Sequence, residues 1–100
     1  MTEQSIRQIE SSFQRVKELA RRAISGDEGA KDRSLEEIFA LNNEIGRLGR
    51  ETSSMMPRMR ELQGYVNLIT VAIKYGRRAE LDEGLTATEK TIGALKRKPS

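Results

Sequence analysis

The sequence predicts an all-α protein, a helical bundle of three or four antiparallel helices with coiled-coil-like heptad packing. The main observation is a stripe of apolar residues at alternating three- and four-residue steps, interrupted by one threonine, because a period of 3.5 residues keeps a stripe on one side of a helix. A second observation is a low aromatic content of 4%, which leaves aliphatic and methionine side chains to form the core. The stripe consists of Ile38, Leu41, Ile45, Leu48, Thr52, Met55, Met59, Leu62, Val66, Ile69 and Ile73.

The first helix is predicted over residues 3–25. Gly26 follows it and suits the left-handed conformation that often ends a helix. Residues 26–33, GDEGAKDR, are then expected to form a polar loop. The apolar side of this helix is formed by Ile6, Ile9, Phe13, Val16, Ala20 and Ala23.

A second helix is predicted over residues 34–55. Ser34 and Glu37 have the spacing of a capping box, in which each side chain satisfies a free backbone N–H at a helix start. This pattern predicts that the helix begins at Ser34.

Pro57 lies midway along the main stripe and allows two interpretations. An interior proline costs about 3 kcal/mol, which favours a break, with Ser54 capping a new helix over residues 56–75. The stripe keeps its phase through Met55 and Met59, as it would in one kinked helix. We favour a break or a sharp kink. With a break near Pro57, four segments of about 20 residues can close a bundle alone.

Residues 65–73, YVNLITVAI, are apolar on nearly every side. A buried strand is the alternative, since Val, Ile, Thr and Tyr favour strands, but the length and the continuous stripe favour a helix. Such a helix is expected to be covered from several directions.

A fourth helix is predicted over residues 79–97, with residues 98–100 as a frayed tail. Leu81, Leu85, Thr88, Ile92 and Leu95 continue the heptad spacing. Thr86 and Glu89 form a second capping-box pattern. The whole chain is interpreted as a single helical domain, 1–100.

The composition restricts the function. The sequence has no cysteine and no histidine, so disulfides, thiolate chemistry and imidazole metal ligands are excluded. No carboxylate pair stands out as an acid–base couple, and we therefore expect a non-enzymatic protein without cofactor or metal. The first residues lack the pattern of a signal peptide, and no apolar run reaches the ~20 residues of a membrane span. A cytoplasmic protein is expected.

We expect the chain to bind another protein as an adaptor, chaperone or inhibitor. A long unbroken rod would leave the apolar 65–73 segment partly uncovered, so a homodimer or a hetero-complex is predicted. Partner helices would then cover the 59–75 region by groove binding or by completing the bundle. The interface candidates are Met55, Met59, Leu62, Tyr65, Val66, Ile69 and Ile73.

The alternative is a basic helical dimer that binds nucleic acid. Residues 45–50, IGRLGR, resemble the loop of KH nucleic-acid-binding domains, where two glycines let the backbone approach phosphates. In a helix, the same glycines would permit close helix approach instead. The candidate phosphate-binding residues are Arg47, Arg50, Arg58 and Arg60, although Glu44, Glu51 and Glu61 lie one turn away and can pair with them.

Overall fold

The fold is given by a computed structural model that describes residues 2–97. Four α-helices follow one another: α1 (Thr2–Ile24), α2 (Glu28–Glu51), α3 (Met56–Tyr75) and α4 (Arg78–Arg97). One short 3₁₀ turn, Ser53–Met55, joins α2 to α3. The described part contains no strand, so the predicted all-α helical bundle is confirmed.

The helices form an up-down-up-down bundle in which each helix packs antiparallel to the two beside it. Ion pairs between Arg15 and Glu37 and between Lys17 and Glu89 join α1 to α2 and to α4. Gly49 of α2 lies against Met59 of α3. In the same way, α3 packs closely on α4, so the helices surround the core in chain order.

The core is built from the predicted stripes. Phe13, Val16, Leu41, Leu62 and other stripe residues are almost completely buried, and Met55 packs against them at one end. The heptad spacing therefore identifies the inward side of every helix. The two halves of the main stripe face one core from adjacent, antiparallel helices.

The break between α2 and α3 has a local cause. The N–H of Thr52 still donates to the carbonyl of Leu48, but the chain then turns through Ser53–Met55. Pro57 falls in the first turn of α3, where a missing N–H costs no helical hydrogen bond. The N-cap of α3 is Met55 without a side-chain hydrogen bond, so the predicted capping role of Ser54 is wrong.

The predicted start of the second helix at Ser34 is also wrong. Asp27 is the N-cap of α2, and its Oδ1 accepts a hydrogen bond of 3.0 Å from the N–H of Ala30. Residues 28–33 are then helical, and Ala30 is fully buried. The Ser34 hydroxyl donates to the carbonyl of Lys31 at 2.8 Å, as a serine inside a helix can do.

The other helix ends are set by glycines and by the α3–α4 turn. Gly26 follows α1 with φ +110°, as expected, and Gly76 ends α3 in the left-handed conformation. Residues 65–73 are helical. Helix α4 begins at Arg78, so Thr86 lies inside it and the second capping-box prediction is wrong. The predicted tail at 98–100 lies outside the described residues.

Candidate protein-binding surface

Helix α3 carries a second apolar stripe on its outer side. Leu68 is half-buried, whereas 43% of Val71 and 70% of Tyr75 are exposed. Val71 lies two residues from the buried Ile69 and Ile73, and residues two apart point to opposite sides of a helix. With Gly64 these residues are spaced by four, three and four. We call Gly64, Leu68, Val71 and Tyr75 the outer α3 stripe.

Within residues 2–97, no neighbouring atom requires a glycine at position 64. It is exposed in the middle of α3, and a Cβ atom added there would meet no heavy atom within 4 Å. A glycine at such a position costs about 1 kcal/mol relative to alanine. At Gly49, by contrast, the added atom would lie 3.3 Å from Met56 Sδ of α3. Gly64 therefore leaves an open, shallow space on the outer α3 stripe.

Charged side chains join the helices on other sides of the bundle. Arg15 and Glu37 link α1 to α2, and two ion pairs link α1 to α4, of which the pair between Lys96 and Glu10 is 2.7 Å long. Between residues 2 and 97, no ion pair runs from α3 to another helix. Among the described residues, α3 is thus held to its neighbouring helices by apolar packing and without ion pairs.

Phe39 of α2 is another large apolar side chain on the surface, with 70% of its surface accessible. It lies two turns before Gly46, which faces Gln63 of α3. Because α2 and α3 run antiparallel, Phe39 lies at the same height along the bundle as Thr70, on the side where α2 and α3 meet. Phe39 is therefore not part of the outer α3 stripe, although it lies at the height of the middle of that stripe.

The predicted interface residues mostly lie inside the bundle. Five of the seven candidates are buried against helices of the same chain, namely Met59, Leu62, Val66, Ile69 and Ile73. Tyr65 is half-buried, and Met55 packs at the edge of the core. In this fold a partner can reach only these two without opening the bundle.

Sequence reasoning did not select the residues that the fold leaves accessible. The signal was present as a second series with heptad spacing, out of phase with the main stripe. In the sequence this series shows as the all-round apolar character of residues 65–73, a segment that a long unbroken rod would leave partly uncovered. Two apolar stripes run along α3, and the positions of α2 and α4 decide which of them is buried within the chain.

The candidate phosphate-binding arginines do not form one cluster. Arg47 pairs with Glu44 at 2.7 Å. Arg50, Arg58 and Arg60 make no ion pair in the part of the chain described here. Arg58 and Arg60 are two residues apart on α3 and so point to different sides.

The KH-like segment does not form a loop. Residues 45–50 lie within α2, and Gly49 is buried against Met56 and Met59 of α3. The close approach of α2 and α3 at Gly49 agrees with the interpretation that these glycines permit helix packing. The KH-like interpretation of residues 45–50 as a phosphate-binding loop is wrong for this fold.

The remaining surface offers little to a small ligand. An open groove between α1 and α2 is lined mainly by polar side chains, including Arg7, Gln8, Ser12 and Asn43, whereas ligand pockets are usually enclosed and largely apolar. Within residues 2–97, no group of three or more acidic residues is placed to hold a metal ion. None of the helices in this range has a stretch that could cross a bilayer.

These features define the class of protein as an all-α four-helix bundle with an uncovered apolar stripe on its third helix. No protein-family model, curated protein or solved structure matches the chain.

Proposed function

We propose that this chain is a non-enzymatic protein-interaction module that binds a helix of another polypeptide chain along the outer α3 stripe. The observation that carries the proposal is the heptad spacing of Leu68, Val71 and Tyr75 on the solvent side of a helix whose other side already fills the core. Apolar residues at such steps are the anchors by which helices recognise grooves and other helices. An adaptor, a chaperone or an inhibitor would work in this way.

The physical driving force is removal of apolar surface from water. Complete burial of a valine or leucine side chain is worth about 1.5–3 kcal/mol, and Val71 and Tyr75 still have much of their surface to bury. Tyr75 also carries a hydroxyl, which suits the half-wet edge of an interface. The charged residues beside the stripe would set orientation more than affinity.

Capture experiments with paired variants test the proposal. Val71→Asp places a charge in the middle of the outer α3 stripe, and Gln14→Asp makes the same change in charge on the exposed side of α1. We expect wild-type protein and Gln14→Asp to retain the same partner from host-cell extract, and Val71→Asp to lose it. Retention of that partner by Val71→Asp would contradict the proposal.

Nucleic-acid binding is the second candidate. It is supported by Arg50 and Arg60, which make no ion pair among the described residues and lie at the end of the bundle where α2 connects to α3. Binding through phosphates weakens steeply with salt, because counterions are released. Titration of single- and double-stranded nucleic acid at two salt concentrations would test it. Salt-sensitive binding that Arg50→Ala and Arg60→Ala both reduce would favour this function over the first.

A further inference from the structure

We propose that a single strand of nucleic acid lies along the groove between α2 and α3, with its phosphates held by Arg50 and Arg60 and one base stacked on Phe39. The inference deepens the second candidate function and rests on it. It uses a side of the bundle different from the outer α3 stripe. We call the surface between residues 39–50 of α2 and residues 60–70 of α3 the α2–α3 groove.

The two sides of the α2–α3 groove follow from contacts at two glycines of α2. A Cβ atom added at Gly49 would lie 3.3 Å from Sδ of Met56. One added at Gly46 would lie 3.7 Å from Nε2 of Gln63. Arg60 comes four residues after Met56 and three before Gln63, so it lies on the same side of α3. Arg60 therefore borders the groove beside the two glycines.

Donor groups without acceptors lie at this end of the groove. Nη1 of Arg50 would be 3.2 Å from the Cβ atom added at Gly46, so the guanidinium group lies over bare backbone. Within residues 2–97, the side chains of Arg50, Arg60 and Gln63 make no ion pair and no hydrogen bond. Guanidinium and amide N–H groups are suited to phosphate oxygens.

The acidic residues nearest to this end lie on other sides of their helices. Glu51 and Glu61 each directly follow one of the two arginines, and successive residues of a helix point about 100° apart. Glu44 forms an ion pair and lines the groove between α1 and α2. The remaining acidic residues of α2 lie more than three turns before its arginine, at residue 37 or earlier. The charge at this end therefore matches a polyanion.

The ring of Phe39 gives the groove a stacking surface. Phe39 lies seven residues, about two turns, before Gly46 on the same side of α2, and most of it is exposed. An aromatic ring beside a positively charged groove suits single strands, because every base has a flat face. The bases of a duplex are already stacked on one another and do not reach the ring. An acidic peptide matches the charges but offers no bases to the ring.

The first test is fluorescence anisotropy of a labelled oligothymidylate of about a dozen nucleotides, within the site sizes of single-strand binders. We expect salt-dependent binding by the wild type. Arg50→Ala and Arg60→Ala should each weaken binding and reduce the slope of log affinity against log salt by about 0.7, the value for one phosphate contact. Arg21→Ala, on the exposed side of α1, is the control and should leave the affinity nearly unchanged.

Phe39→Ala tests the stacking. We expect it to weaken binding about tenfold and to leave the salt slope unchanged, because the lost contact is uncharged. Phe39→Tyr keeps a ring and should bind like the wild type. Tyr75→Ala removes an exposed ring from the outer α3 stripe and should have no effect. Equal binding by Phe39→Ala and the wild type would overturn the inference.

The contact with the base can be observed directly, because the chain has no tryptophan. Phe39→Trp places a single indole in the α2–α3 groove, and its fluorescence should be quenched by the oligothymidylate. Tyr75→Trp is the control outside the groove and should not be quenched. Binding without quenching of Phe39→Trp would show that the strand lies elsewhere, which overturns the inference.

The inference and the second candidate function fail in different ways. Salt-sensitive binding that both arginine variants reduce, but Phe39→Ala does not, leaves nucleic-acid binding in place and refutes the stacking. Tighter binding of a duplex of the same length refutes the single strand alone. If neither nucleic acid binds at low salt, or if only polyglutamate binds through the two arginines, both are refuted. Folded Val71→Asp should bind the oligothymidylate like the wild type, because the groove is separate from the outer α3 stripe.

Discussion

Gly84 of α4 and Ile69 of α3 lie so close that a Cβ atom on the glycine would be 2.8 Å from Cγ1 of the isoleucine. The same atom would be 3.3 Å from the backbone nitrogen of Ile69 and 3.4 Å from the carbonyl oxygen of Tyr65. The α3–α4 contact is therefore set by the absence of a side chain at residue 84. Backbone atoms cannot move aside as a flexible side chain could.

We expect Gly84→Ala to lower the free energy of unfolding by about 1–3 kcal/mol, the usual cost of overpacking a core. The better helix propensity of alanine offsets only part of this cost. Urea unfolding followed by circular dichroism measures the change. Gly93→Ala is the control and should be neutral or stabilising by up to ~1 kcal/mol. A stabilising Gly84→Ala would contradict the tight α3–α4 packing.

Thr88 is fully buried, and its hydroxyl has no hydrogen-bond partner within the described residues. A buried hydroxyl without a partner costs about 1–3 kcal/mol in protein mutational data. Thr88→Val keeps the shape and removes this cost, so the free energy of unfolding should rise by about 1 kcal/mol. Thermal melting would report it.

The comparison for Thr88 is Thr91, whose hydroxyl donates to the carbonyl of Ala87 at 2.9 Å. Thr91→Val removes a satisfied group and should gain less than Thr88→Val. If Thr88→Val lowered the melting temperature, the hydroxyl of Thr88 would have a partner in solution.

The start of α2 can be tested at Asp27 and Ser34. Asp27→Ala removes the side-chain acceptor for the N–H of Ala30 and should cost about 1 kcal/mol, the usual value of an N-cap. Ser34→Ala should change the free energy of unfolding little, because the Ser34 hydroxyl bonds only to a carbonyl of its own helix. The reverse order of effects would restore Ser34 as the helix start.

Ile69 and Val71 separate the core from the outer side of α3. Ile69 is fully buried, so Ile69→Asp would bury an unpaired charge and remove most of the ~5–15 kcal/mol that stabilises a small domain. Val71→Asp should leave the helical spectrum and the melting temperature nearly unchanged. A folded Ile69→Asp variant would contradict the placement of Ile69 in the core.

Most of the fold was predictable because the core is formed by apolar residues at heptad spacing, and this spacing can be read directly from the sequence. Leu41, Leu62 and Leu85 are buried where the heptad spacing places them. The start of α2 was less predictable, since a pattern such as Ser34 with Glu37 also occurs inside helices. There the serine bonds to its own turn, and Asp27 takes the capping role.

The candidate surface was less predictable for a different reason. Residues 59–75 carry two apolar stripes, and the sequence does not tell which of them the other helices cover. Val66 and Ile69 pack inside the bundle, whereas Val71 remains on the outside. Which of the two stripes is covered depends on the turn at residues 52–55. In the sequence, Pro57 alone is a weak signal for that turn.

The most direct test of the central claim is two-dimensional NMR of isotope-labelled wild-type protein, with spectra recorded as its concentration is raised and, separately, as a captured partner is added. If the outer α3 stripe is the binding surface, the resonances of Gly64, Leu68, Val71 and Tyr75 should shift or broaden together. Those of Gln14 on α1 and Lys90 on α4 should stay in place. Changes confined to another side of the bundle, with the stripe unaffected at every concentration and with the partner present, would contradict the account.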